Sequence, residues 1–242
     1  MGGTKPTIVL VHGAFADGSS WDAVIERLQR RGYIAVAPAI GLRGVIEDSR
    51  YLRSVVDQID GPVVLVGHSY GGALISNAAT DASNVVGLVF VAAFAPDMDE
   101  ALGDVTAESK DAVLMAALVP RTYPAGNGET APELAIDPAK FRDAFAADLP
   151  EERTAVMAAT QRPVAGTAFS DRSGPPAWKS LPTWAVVATR DKAAGVDIVR
   201  TMARRAGADI TEVESSHVVM ISQPDAVTDV IVRAAEATAG GR

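Results

Sequence analysis

The chain has 242 residues, 48% of them hydrophobic, with a formal net charge of −8 and no cysteine. That is ample apolar material for one compact core, and the acidic balance without a basic cluster argues against nucleic acid or an anionic membrane surface as partner. Disulfides and thiolate metal sites are excluded, no run approaches the roughly 20 apolar residues of a membrane span, and the amino-terminal "MGGTKPTIVLVHG" lacks the length and cleavage site of a signal peptide. A cytoplasmic protein, monomeric or homodimeric, is expected.

"TIVLVHGA" is a short β-branched apolar run, the pattern of a strand buried on both faces. "SSWDAVIERLQRRG" follows as a helix, with a Ser cap, apolar Trp21, Val24, Ile25 and Leu28 at helical spacing, and Gly32 as its stop. The alternation continues with "YIAVAPA" (strand), "VIEDSRYLRSVVDQI" (helix), "PVVLVGHS" (strand), "GGALISNAATD" (helix) and "VVGLVFVAAF" (strand). Repeated βαβ units imply a mostly parallel sheet of about six strands with helices on both faces.

The rhythm breaks after Phe94. Residues 97–180 read as an inserted helical cap, with helices in "DAVLMAALV", "PAKFRDAFAADL" and "EERTAVMAAT" and loops in "GNGETAPE" and "SDRSGPP". Strand and helix return with "PTWAVVAT", "VDIVRTMARRAG", "DITEVES" and "PDAVTDVIVRAAEAT". Residues 1–96 and 181–242 are therefore expected to build one core around the insertion, with only the final "AGGR" frayed.

Gly67, His68, Ser69, Tyr70 and Gly71 form GxSxG at a predicted strand-to-helix turn, the context in which that pattern marks a nucleophilic serine. Small residues two positions either side relieve the crowding of a strained turn. The following helix offers free amide hydrogens and the positive end of its dipole.

A serine hydroxyl needs a base within hydrogen-bonding reach. Of three histidines, His12 sits in the "HGA" turn and is expected to brace that loop, while His68 neighbours Ser69 on a tight turn where side chains diverge. His217, after the last predicted strand, lies on the same carboxyl edge of the sheet as Ser69 and is the expected base. Asp191 in "VVATRDKAAG" is the favoured acid, since Ser, Asp, His is the expected chain order, and Asp97 in "FAPDMD" is its competitor. The backbone amides of Tyr70 and Ala14 are expected to form the oxyanion hole. Phe15, Phe94, Tyr123, Phe169 and Trp178 are candidate apolar walls, with Phe15, Phe94 and Trp178 foremost.

These residues resemble the α/β hydrolases, in particular the group of plant methyl esterases, hydroxynitrile lyases and small bacterial esterases. "VLVHGAFADGSSW", "LVGHSYGG", "VFVAAFAPD", "PAWKSLPTW", "VVATRDK" and "SSHVVMISQPDAV" fall in that family's order. The resemblance implies the α/β hydrolase fold with a mobile helical cap and the triad Ser69, Asp191 and His217. Two departures stand out. "KAAGVDIV" replaces the usual proline and polar run after the acid, and Gly13 and Val218 stand where related hydroxynitrile lyases carry threonine and lysine, which disfavours cyanohydrin chemistry.

The expected activity is cleavage of a small or medium apolar carboxylic ester through an acyl-enzyme on Ser69, without metal or organic cofactor. Lactone hydrolysis, cofactor-free perhydrolysis (haloperoxidase activity) and a non-catalytic ligand-binding role are the alternatives the same residues leave open.

Overall fold

The computed structural model describes residues 4–239, so residues 1–3 and most of the terminal "AGGR" lie outside the described residues. The chain enters with β1 (Thr7–Val11), a 3-10 turn at Gly18–Trp21, α1 (Asp22–Arg30), β2 (Ala35–Val36), α2 (Val45–Val56), β3 (Val63–His68), α3 (Tyr70–Ala78) and β4 (Val85–Val91). The Asp17 side chain accepts the Ser19 amide at 2.8 Å and starts the first turn, and α1 then buries Val24 and Leu28 from its apolar stripe. Every residue of β3 is buried, as an interior strand of a parallel sheet requires.

Beyond β4 comes the inserted segment. It holds α4 (Leu102–Ala107), a 3-10 turn at Leu114–Ala117, β5 (Leu118–Gly126), β6 (Glu129–Ile136), α5 (Phe141–Phe145), α6 (Glu151–Thr160), β7 (Val164–Ala165) and α7 (Thr167–Ser170). The segment is thus helical only in part. β5, β6 and β7 form an antiparallel sheet in that order, where "DAVLMAALV" reads as a helix and "GNGETAPE" as a loop. The cause is local: Asn127 and Gly128 take φ of 52° and 81°, the mirror-image turn that Asn-Gly favours and that matches the twist of a two-stranded ribbon.

The core resumes with β8 (Thr183–Ala188), α8 (Val196–Arg205), β9 (Asp209–Val213), α9 (Val219–Ser222) and α10 (Pro224–Thr238). Six parallel strands are ordered β2-β1-β3-β4-β8-β9. From β1 the chain first travels outward to β2, then returns past β1 to β3 and continues in the opposite direction. Right-handed crossovers put α1 on one face and α2 and α3 on the other; α1 packs on α10, and α2 on α3. The reversal opens a crevice at the carboxyl ends of β1 and β3. The loop carrying Gly13 and Ala14 and the turn carrying Ser69 hang from those two adjacent strands. Among the described residues, no helix is long and apolar enough to cross a membrane.

Candidate active site

Ser69 links β3 to α3 with φ 52° and ψ −121°, a conformation that costs a residue with a side chain about 1–3 kcal/mol. Close packing dictates the flanking glycines. A Cβ on Gly67 would lie 2.5 Å from the Gly71 carbonyl oxygen, and one on Gly71 would lie 2.6 Å from the Val11 carbonyl oxygen. The turn is tied down through its backbone: the Ser69 amide donates to Val91 at 3.3 Å, and its carbonyl accepts from Gly72 at 3.0 Å and Phe94 at 3.2 Å.

His217 follows β9 and is 1% exposed, as is Asp191 in the loop after β8. His217 Nδ1 stands 2.7 Å from Asp191 Oδ2. The other carboxylate oxygen accepts the amides of Ala193 at 2.8 Å and Ala194 at 3.0 Å, so the "KAAG" stretch holds the acid in place. With Nδ1–H given to the carboxylate, Nε2 is left as an acceptor. That Nε2 is buried and has no hydrogen-bond partner among the described residues. Asp97 is elsewhere: its carboxylate accepts from the Lys179 ammonium and the Met98 amide. The structure therefore brings Asp191, not Asp97, to His217.

The other two histidines hold backbone. His12 accepts the Ile40 amide on Nε2 at 3.1 Å and gives Nδ1–H to the Gly13 carbonyl at 2.9 Å, bracing the loop after β1. His68 gives Nε2–H to the His217 carbonyl at 3.0 Å, with the two rings 4.6 Å apart. Burial above all, and then the neighbouring His217, push His68 well below the ordinary imidazole range, so it stands neutral. Gly13 has no room for a side chain, because its Cβ would lie 2.8 Å from His68 Nδ1 and 2.9 Å from Ser69 Cβ.

Tyr70 is the first residue of α3, so its amide is one of the helix's free donors. Its hydroxyl donates to Asp48 Oδ2 at 2.8 Å, which anchors the start of α3 to α2. Burial raises the Asp48 carboxyl, while the Tyr70 hydroxyl and the Arg43 amide act against that rise. Ala14 lies beside Ser69 and Tyr70 on the wall of one small cavity. Sequence reasoning missed a further contact. Asp148, between α5 and α6, accepts Ser215 Oγ at 2.9 Å, the Ser216 amide at 3.0 Å and Ser216 Oγ. Burial pushes its carboxyl up, and hydrogen bonds from Ser216, Ser222 and Ser215 outweigh that and hold it below the usual range.

Two cavities adjoin the site. The small one, about 20 Å³, contains Ser69 and is walled by Phe15, Phe94 and Phe169 among others. The larger, about 290 Å³, is lined by Phe15, His68, Phe145, Val218, Met220 and Ile221, among others; His217 itself lines neither cavity. Phe15 and Phe94 thus fall where apolar walls are expected. Trp178 does not: it lines neither cavity. Its buried indole needs an acceptor and donates Nε1–H to the Pro96 carbonyl at 3.1 Å, with Lys179 and Arg205 against its ring. Tyr123 sits on β5 beneath the Arg43 guanidinium, 4.1 Å from its ring centre. Among the described residues, no group of three or more His, Asp or Glu side chains is placed to hold a metal ion.

The profile of the alpha/beta hydrolase family matches residues 8–230. A pyrethroid hydrolase of Sphingobium wenxiniae is 36% identical over 102 residues, which cover 37% of this chain and only 36% of that protein's length. The alpha/beta hydrolase nvfD of Aspergillus novofumigatus is 28% identical over 96% of this chain and 97% of its own. Among solved structures, polyneuridine aldehyde esterase superposes with a TM-score of 0.80 at 21% identity, covering 95% of this chain and 99% of that one, which is a likeness of fold.

Proposed function

The chain belongs to the α/β hydrolase family, and on that premise we propose that it is a serine esterase in which Ser69 attacks the ester carbonyl and His217, oriented by Asp191, moves the protons. The observation that carries the reading is His217 itself. One ring nitrogen is committed to a buried carboxylate at 2.7 Å, which leaves the other as an acceptor on the same carboxyl edge of the sheet that carries Ser69 in its strained turn. The pyrethroid hydrolase relative adds support at the level of reaction class.

In this reading Ser69 Oγ bonds to the carbonyl carbon as its proton passes to His217 Nε2. The oxyanion is held by the amides of Ala14 and Tyr70. His217 then returns the proton to the departing alkoxide, leaving an acyl-serine and free alcohol. Water, deprotonated by the same Nε2, attacks the acyl carbon; the carboxylic acid leaves and Ser69 regains its proton. Each step uses residues of this chain and water alone.

The test is hydrolysis of p-nitrophenyl esters from acetate to octanoate by the wild-type protein and Ser69→Ala, with both shown to be folded by circular dichroism. Activity that collapses in the variant supports the mechanism. Activity retained in folded Ser69→Ala refutes it.

A further inference from the structure

The two cavities meet at one pair of side chains. Phe15 and Phe145 line both, with ring centres 6.3 Å apart and planes at 89°. Phe15 reaches this position from a left-handed backbone conformation, φ 62°, which is rare for a bulky residue and persists only where its surroundings enforce it. Phe145 also packs against His217, centroid to centroid 5.1 Å. The partition therefore stands between the chamber of Ser69 and the larger pocket, whose wall includes Val218 and the His68 ring that packs on His217.

From this we infer that the protein selects esters with a short acyl group and a bulky, largely apolar alcohol, the acyl group seated in the Ser69 chamber and the alcohol in the larger pocket. The inference rests on the serine esterase reading above and adds the substrate class. Its direction comes from the proton inventory. The leaving oxygen must reach His217 Nε2, so the alcohol departs toward the segment that continues from His217, where Val218, Met220 and Ile221 form the wall together with the His68 ring packed on His217. The acyl group then lies with the two oxyanion amides, in the chamber that contains Ala14, Ser69 and Tyr70.

Magnitudes decide the sizes. A chamber of about 20 Å³ has room for little more than one water-sized group, which occupies roughly 10–15 Å³ on this measure. Its remaining wall includes Leu102, Leu114 and Phe94, of which Leu102 is 1% exposed and Phe94 6%. These side chains are packed and do not yield freely. Acetyl fits and longer chains displace them. The outer pocket, about 290 Å³, approaches the roughly 300–1,000 Å³ of sites that hold whole small molecules. Its surface is mainly apolar, through Phe141, Val156 and Met157, with Arg153 and Gln161 supplying polar contacts.

Two ester series separate the chambers. p-Nitrophenyl acetate, butyrate and octanoate vary only the acyl group; ethyl, benzyl and naphthylmethyl acetate vary only the alcohol. The expected result is a kcat/KM that falls about tenfold or more from acetate to octanoate and rises about tenfold or more from ethyl to naphthylmethyl acetate. Met115→Ala, which widens the Ser69 chamber at a side chain 46% exposed, should raise the octanoate-to-acetate ratio. Val156→Trp, on the outer pocket at a side chain 54% exposed, should shrink the naphthylmethyl advantage. A flat or reversed order in either series overturns the inference. Labelling of Ser69 by a small fluorophosphonate, read by intact mass, tells the two failures apart. Labelling with the wrong order defeats only the substrate class, whereas neither labelling nor turnover defeats the serine esterase reading and this inference with it.

Discussion

Asp148 and Ser216 join the inserted segment to the loop that carries His217. The carboxylate accepts both the backbone amide and the hydroxyl of Ser216, and Ser215 adds a third hydrogen bond at 2.9 Å. The residue adjoining Ser216 is the proposed base, so any movement of α5 and α6 is felt at His217. Hydrogen bonds to a charged group are worth about 1.5–3 kcal/mol. Asp148→Asn is expected to lower kcat by about 10–100-fold with a smaller change in KM, and Asp148→Glu to recover part of the loss. Steady-state kinetics of both variants checks this; a pure KM effect would assign Asp148 to substrate binding instead.

Asp191→Asn should leave the protein folded and lower kcat by about 10³–10⁴-fold, because an amide at that position favours the wrong imidazole tautomer. Asp97→Asn is its control. Asp97 is half-buried and paired with Lys179, while His217 is paired with Asp191, and the Asp97 substitution should leave ester turnover within about twofold of wild type. Parallel assays of the two purified variants decide between the carboxylates.

Gly71→Ala places a Cβ 2.6 Å from the Val11 carbonyl oxygen, a backbone atom of the neighbouring strand that cannot turn aside. The expected destabilisation is about 2–4 kcal/mol, or roughly a 5–15 °C fall in Tm for a domain of this size. Gly61→Ala supplies a contrast with another cause. Among the described residues, nothing beyond its chain neighbours lies within 4 Å of its Cβ position, and only its φ of 83° is unfavourable, so its cost should be smaller, about 1 kcal/mol. Differential scanning calorimetry of both tests whether close approach or backbone angle dominates.

Burial lowers both His12 and His68 below the ordinary imidazole range. In the unfolded chain they titrate near 6.5, so on acidification the unfolded state takes up protons first. Their contribution to stability is therefore complete above about pH 6.5 and is lost as pH falls below it, at up to roughly 1.4 kcal/mol per pH unit for each histidine. Urea midpoints at pH 7.5 and 5.5 should show the fall. A midpoint that holds or rises at pH 5.5 would contradict it.

The residues that the sequence reveals most readily are those whose constraint is local. Gly67 and Gly71 announce the turn around Ser69 because the crowding they relieve is created by atoms four residues away in the same turn or on the next strand. His217 and Asp191 are readable through chain order and the carboxyl edge of a parallel sheet. Asp148 is invisible at that level, since its partners lie 67 and 68 residues away and an aspartate near a helix end has many local uses. Trp178 misleads for a related reason: aromatic character predicts burial but not which wall is buried against, and the demand of its indole N–H turns it to Pro96. The β5–β6 hairpin carries a strong signal in Asn127-Gly128. Its flanking prolines, Pro120, Pro124 and Pro132, mask it by imitating loop punctuation.

Those prolines bear on how the protein lives in a crowded solution. β5 is the outer strand of its small sheet and is largely exposed, so its free backbone edge is the natural place for another chain to add a strand. Pro120 and Pro124 have no N–H to offer, and the ring at each fixes the local backbone. The edge is left with gaps in its row of donors, which makes it a poorer template for strand addition by another chain.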